Sequence, residues 1–257
     1  MAQIDYVFGI HSVDALLQQR PEQVRELILL GQRRDQRVQA LEQKAMAAGI
    51  RVKRVNKDAF DRTRQSWGLP EQGVQGVMAA CVSMKLHRED DWPELLRRAM
   101  DQGETPLVVV LDGVTDPHNL GACMRSAEAA GAQLVLAPKD KSAPLSATAI
   151  KVACGAADHL PYVQVTNLAR TLKQLQQMGI WVYGAAGEAK VTHFQQSLTG
   201  PVALVLGAEG DGLRRLTRES CDGLIKIPML GQVSSLNVSV ATGVLLFEVV
   251  RQRLQKA

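Results

Sequence analysis

The 257-residue chain is poor in side chains that staple a fold or stack: four cysteines, four Phe, three Trp and three Tyr. Cys81, Cys123, Cys154 and Cys221 are far apart in sequence, which excludes a disulfide framework and a zinc-knuckle spacing. They read as small core hydrophobes of a reducing compartment. The five histidines are equally dispersed, with no H-E-x-x-H, and no metal is expected. Apolar runs such as Leu107 to Leu111 fall far short of the roughly 18–20 residues that cross a membrane. The opening MAQIDYVFGIHSVDALL has no basic segment leading into an apolar core and cleavage site, so export is not expected and the compartment reads as cytoplasmic.

What remains is a composition of 46% hydrophobic and 22% charged residues with a net charge of +4, enough for one large domain or two modest ones with real cores. The charge is uneven. From Arg33 to Arg64 ten Lys/Arg stand against four Asp/Glu, which suits a phosphate-backbone partner but also an ordinary solvated helix face.

Residues 1–83 alternate helical and strand patterns. IHSVDALLQQ and RDQRVQALEQKAMAAG have helical spacing, the second closed by Gly49, while VRELILL, IRVKRV and GVQGVMAACV read as strands. Together they predict a small α/β unit. Residues 84–105 hold an acidic cluster, Trp92, Pro93 and a short amphipathic helix, and read as a linker. Residues 106–257 carry the buried strands LVVVLDGV, QLVLAP, WVYGAA and PVALVLG with helical segments between them, which predicts an α/β fold with a mostly parallel sheet covered by helices on both faces. A final helix is expected from Ser239 to Gln255, with Val240, Val244, Phe247 and Leu254 sharing one broad face.

Three clusters at strand ends carry polar residues. In DPHNLGACMRSAEAAG, Asn119 sits where a helix N-cap is wanted, Gly121 permits close backbone approach and Arg125 follows in the helix. In LVLGAEGDGL, Gly207, Gly210 and Gly212 free the backbone to approach a ligand, with Glu209 in the same turn. The spacing is neither a dinucleotide fingerprint nor a P-loop. In IKIPMLGQVSSLNVSVATG a short strand stops at Pro228, and Ser234, Ser235 or Asn237 caps the last helix. Singly, each of these residues reads as a cap or a surface polar group. In an open parallel sheet all three strand ends face one crevice.

Taken in order, DGVTDPHNLGACMRSAEAAG, LVLGAEGDGL and IPMLGQVSSLNVSVA resemble motifs one to three of the SpoU (TrmH-type) RNA ribose 2′-O-methyltransferases of the SPOUT superfamily. FGIHSVDALL and KVACGAADHLPYVQVTNLART extend the likeness, from about Tyr6 to Arg253, to the branch that methylates a guanosine ribose in the peptidyl-transferase P-loop of 23S rRNA. The resemblance implies a deep trefoil knot in the catalytic domain, an N-terminal RNA-binding domain of L30e/L7Ae type, and a homodimer with its active site near the subunit interface. It implies S-adenosylmethionine as methyl donor, contacted through the main chain at Gly207, Ile227 and Leu236, and a catalytic set of Asn119, Arg125, Glu209, Ser235 and Asn237. The expected partner is 23S rRNA or a large-subunit assembly intermediate.

The family gives the Arg125 position the role of general base. A guanidinium with a pKa above about 12 instead favours stabilisation of a developing 2′-oxyanion or an adjacent phosphate, with base catalysis only if neighbours deprotonate it. Val74 stands where many members have His before Gln-Gly, so an RNA contact made by that histidine is not carried over to this chain. A tRNA or another rRNA is the alternative substrate, and a non-catalytic ribosome-assembly protein the alternative from a different class.

Overall fold

The apolar periodicity resolves into two compact units, residues 1–85 and 86–257. The computed structural model describes residues 4–31, 35–82, 87–208, 210 and 212–256. The first unit runs β1 (Ile4–Phe8), α1 (Ile10–Gln19), β2 (Val24–Leu30), α2 (Gln36–Ala47), β3 (Arg51–Val55), α3 (Lys57–Ser66) and β4 (Val77–Val82). Its sheet has the order β1-β4-β2-β3, with β2 and β3 parallel and the remaining pairs antiparallel. One face is packed by Val13, Leu16 and Leu17 of α1 with Val38 and Leu41 of α2, the other by Phe60 of α3 with Ile28 and Met78. Val74 belongs to this second cluster and is 3% exposed, so the position is filled by core packing. Beside it Gln75 holds a left-handed φ of 49° and accepts a hydrogen bond from the Ile10 N–H at the start of α1.

The second unit runs α4 (Trp92–Asp101), β5 (Leu107–Asp112), α5 (Pro117–Ala129), β6 (Leu134–Pro138), α6 (Ala147–Ala153), α7 (Ala156–His159), β7 (Tyr162–Val165) and α8 (Leu168–Gln177). It continues through β8 (Trp181–Ala185), β9 (Val191–Thr192), β10 (Val202–Gly207), α9 (Arg215–Glu219), β11 (Gly223–Lys226) and α10 (Val238–Lys256). Seven strands lie in the order β7-β6-β5-β10-β8-β11-β9, every pair parallel. Alternate residues of β5 point to opposite faces. Leu107, Val109 and Leu111 join Leu120, Met124, Leu245 and Leu246 of α5 and α10, while Val108 and Val110 join Trp92, Leu96 and Leu172 of α4 and α8. Helices therefore cover both faces.

Two expectations change in the structure. From Trp92 onward the stretch read as a linker is part of the second unit's core, because α4 buries Trp92 and Leu96 at 2% and 0% exposure. Asn119 does not cap α5: Asp116 does, its carboxylate accepting from the His118 N–H, with Pro117 preset for the first turn. Val240, Val244, Phe247 and Leu254 do lie together on α10, and their face is exposed, while the core takes Leu245, Leu246 and Val249. Among the cysteines, Cys81 and Cys123 are buried as expected, whereas Cys154 is exposed and Cys221 half-buried.

The acidic cluster ahead of α4 fixes that helix to the sheet. Glu89 accepts from Thr166 Oγ1 at 2.6 Å, Lys139 Nζ at 3.1 Å and Arg170 Nη2 at 3.3 Å. The Thr166 hydroxyl, aided by Lys139, brings its carboxyl down to about 2. A carboxylate whose folded pKa lies below the unfolded value of about 4.3 stabilises fully above that value, and the contribution disappears as pH falls through the folded pKa. Glu89→Gln is expected to lower the Tm of the second unit by about 3–10 °C at pH 7. The gap from the parent should close between about pH 4.5 and 2 in calorimetric scans; a gap independent of pH would contradict this assignment.

Candidate functional site

The carboxyl ends of β5, β10, β8 and β11 are neighbours in a parallel sheet, and the loops leaving them meet at one edge. β10 ends at Gly207, paired in register with Asp112 of β5. The chain then doubles back so closely that a Cβ on Gly207 would stand 2.1 Å from the carbonyl carbon and oxygen of Gly212 and 2.4 Å from the Leu213 nitrogen. The need for glycine here is proximity, since only Gly210 and Gly212, at 86° and 65°, have positive φ. The Gly212 N–H donates to the Ala208 carbonyl at 3.0 Å and closes the loop. Its far end is held by Asp112, wholly buried, which accepts from the Arg214 backbone N–H at 3.0 Å and from Arg214 Nε at 2.6 Å.

This loop borders a cleft with two adjoining parts. One, of about 380 Å³, is lined by Gly207, Ala208 and Gly210 together with Ala185 to Glu188 from the end of β8. The other, of about 430 Å³, is lined by Ile225 to Met229. Ser234, Ser235, Leu236 and Ala241 border both. Gly207 thus lines one part, Ile227 the other, and Ser235 and Leu236 both. The loop 185–188 was not anticipated, although WVYGAAGE repeats the signature of LVLGAEG, an apolar strand breaking into small residues.

The first and third clusters are joined by a hydrogen bond: Asn237 Nδ2 donates to Asn119 Oδ1 at 3.0 Å. Asn237 Oδ1 accepts from the Ser239 N–H and hydroxyl at 2.9 and 2.6 Å, so Asn237 also caps α10. Arg125 is not among the residues lining the cleft. It is exposed on α5, its guanidinium 3.6 Å from the Cys154 thiol, and it pairs with no carboxylate among the described residues. Cys154 itself closes α6 in a left-handed conformation. Glu209 lies outside the described residues. Burial pushes the Cys123 thiol up to about 11 and Cys221 up to about 12, so neither is a nucleophile near neutral pH. Among the described residues no group of three or more His, Cys, Asp or Glu could hold a metal ion, and no helix is long and apolar enough to cross a membrane.

In the first unit part of the basic excess is consumed internally, Lys44 by Asp14, Lys53 by Glu26, Arg54 by Glu42 and Arg64 by Asp61. Arg37, Arg51, Lys57 and Arg62 are exposed, with no carboxylate partner among the described residues.

Residues 6–82 match the family described as RNA 2′-O ribose methyltransferase substrate binding, and residues 106–247 match the SpoU rRNA Methylase family. The chain is 55% identical over 254 residues to the 23S rRNA (guanosine-2′-O-)-methyltransferase RlmB of Pseudomonas aeruginosa, with 98% of each chain covered. It is 51% identical to RlmB of Escherichia coli K12 over 249 residues, 97% of this chain and 99% of that one. In fold it resembles the SpoU methyltransferase AviRb of Streptomyces viridochromogenes, solved in complex with the cofactor AdoMet, at 23% identity and a TM-score of 0.59 over 97% of this chain and 90% of that one. A parallel sheet whose strand ends unite the three motifs, together with relatives matched along nearly the whole sequence, places this chain in the SpoU rRNA methylase family.

Proposed function

We propose that the protein transfers a methyl group from S-adenosylmethionine to the ribose 2′-hydroxyl of a guanosine in 23S rRNA, in the peptidyl-transferase P-loop region. The observation that carries this reading is the cleft itself, where main chain and small residues from three strand ends, those of β8, β10 and β11, lie next in the chain or fold to the Asn119–Asn237 pair. The lining fits the cofactor. Gly187, Gly207, Gly210 and Gly212 leave peptide groups uncovered for an adenine edge and ribose hydroxyls, and Ile227 and Leu236 supply apolar contact for ring faces. The cofactor, when bound, supplies an electrophilic sulfonium methyl.

The protein must position the ribose and weaken the hold of the 2′-oxygen on its proton. Asn119 and Asn237 fix each other's amides, and Ser235 is exposed on the cleft, so these three suit orientation of substrate and backbone. Arg125 has no carboxylate partner among the described residues, so its guanidinium donors are not already engaged by an acid and suit a phosphate or a developing 2′-oxyanion. Glu209 is assigned to anchoring that Arg or the surrounding loops.

The cleft and Arg125 are reconciled by a homodimer in which the site lies near the subunit boundary. Supporting this are exposed apolar side chains beside the cleft: Phe194 at 62%, Leu230 at 98%, and Val240, Val244 and Phe247 along α10 at 52%, 38% and 51%. Such a contiguous patch is normally covered by a partner. A deep trefoil knot in the second unit accords with β10 lying between β5 and β8, and β8 between β10 and β11, before α10 returns onto α5. The first unit, an L30e/L7Ae-type module, is assigned to RNA binding through Arg37, Arg51, Lys57 and Arg62, and the site of action is the cytoplasm, on rRNA or a large-subunit assembly intermediate.

Transfer of labelled methyl to unmodified 23S rRNA, with bulk tRNA in parallel and alkali-resistant dinucleotides as readout, is expected to label the rRNA. Arg125→Ala should lower the rate by about 10²–10³ while S-adenosylhomocysteine binding is unchanged; label on tRNA alone would overturn the substrate. Gly207→Ala should abolish the ligand-induced rise in Tm, and a full response would refute the cofactor placement. Phe247→Asp should give a folded monomer by sedimentation equilibrium with methyl transfer lost, whereas a persisting dimer would exclude this face as the interface.

A further inference from the structure

In the cleft part bordered by Gly207, two side chains of opposite charge meet. Glu188 leaves the loop after β8, Arg218 projects from α9, and Arg218 Nη1 donates to Glu188 Oε1. Their side chains are 56% and 38% exposed. Among the described residues lining this part they alone are charged; the others are Gly, Ala, Ser, Leu and Val. An exposed ion pair contributes little to stability, so this pair is poorly explained as a device for holding the two loops together, and it opens at little cost.

The cofactor assigned to the cleft has three chemically distinct parts. Adenine and ribose are served by peptide groups and apolar side chains, which the cleft has in plenty. The third part is an α-amino acid, a carboxylate and an ammonium two bonds apart, and this zwitterion requires one cation and one anion placed side by side. We infer that Arg218 and Glu188 form the amino-acid subsite: the guanidinium receives the carboxylate, the Glu188 carboxylate receives the ammonium, and the two side chains exchange their mutual bond for these charge-assisted ones. The inference rests on the cleft being the cofactor site and names which side chains read the end of the molecule that main chain cannot.

The test is calorimetric binding of S-adenosylhomocysteine and of 5′-methylthioadenosine, which keeps adenine, ribose and sulfur but lacks the amino acid, to the full chain and its variants. Arg218→Gln is expected to weaken S-adenosylhomocysteine by about tenfold or more and to leave methylthioadenosine within about twofold. Glu188→Gln should behave the same way with a smaller loss, and Arg218→Lys should recover part of the binding. Melting curves of the same variants report whether they fold. Equal weakening of both ligands would make the pair a loop fastener and overturn the inference. Unchanged binding of both would overturn it as well, and loss of methylthioadenosine binding in Glu188→Gln alone would move Glu188 to the ribose. If the parent protein binds neither ligand, the cofactor reading fails; if it binds both while the variants do not discriminate, only the subsite fails.

Discussion

The contact between Gly207 and the peptide of Gly212 sets the shape of everything around the cleft. With 2.1 Å between a notional Cβ and that carbonyl, the loop closes only around a hydrogen atom. The Ala208–Gly212 bond and the grip of Asp112 on Arg214 then hold the closed loop at the end of β10. A buried carboxylate satisfied by a backbone amide and a guanidinium avoids the penalty of a lone buried charge. Because β10 lies between β5 and β8, this one turn borders the residues that follow β8 and those that precede α10.

Site architecture follows from sheet order rather than from any single motif. Four neighbouring parallel strands end on the same side, so residues nearly 120 positions apart, Asn119 and Asn237, come within a hydrogen bond. The helices contribute through their starts. Asp116 and Pro117 launch α5, and Asn237 launches α10 directly after Leu236, which lines the cleft. Packing of Leu245 and Leu246 beneath fixes α10, so its opposite apolar face is a stable surface.

Much of this was legible in the sequence where apolar periodicity met a punctuating residue. The strands from Leu107, Leu134, Trp181 and Val202 and the glycine turn were read directly, since continuous apolar runs ending in glycine have few other uses. Periodicity could not say which side of α10 faces the core: both stripes are apolar, and only packing against α5 distinguishes Leu245 and Leu246 from Val244 and Phe247. Nor could composition tell a linker from a docked helix around Trp92, because Glu89, one of the acidic residues that suggested exposure, is tied to Lys139, Thr166 and Arg170, distant in sequence. Asn119 looked like a cap because Asn commonly is one. Asp116 before Pro117 had the prior claim, which freed the Asn119 amide for Asn237.

Cys154 stands apart from the other thiols in a way that bears on chemical labelling. Cys81 and Cys123 are buried and Cys221 is half-buried, with burial holding all three protonated, whereas Cys154 is exposed at the end of α6 with the Arg125 guanidinium against its sulfur. Alkylating reagents at neutral pH therefore reach Cys154 by its exposure, while burial disfavours reaction at the other three. A single fluorophore or spin label can be set on the native sequence at the side chain that neighbours Arg125, giving an optical or magnetic reporter of that guanidinium's surroundings without engineering a cysteine-free background.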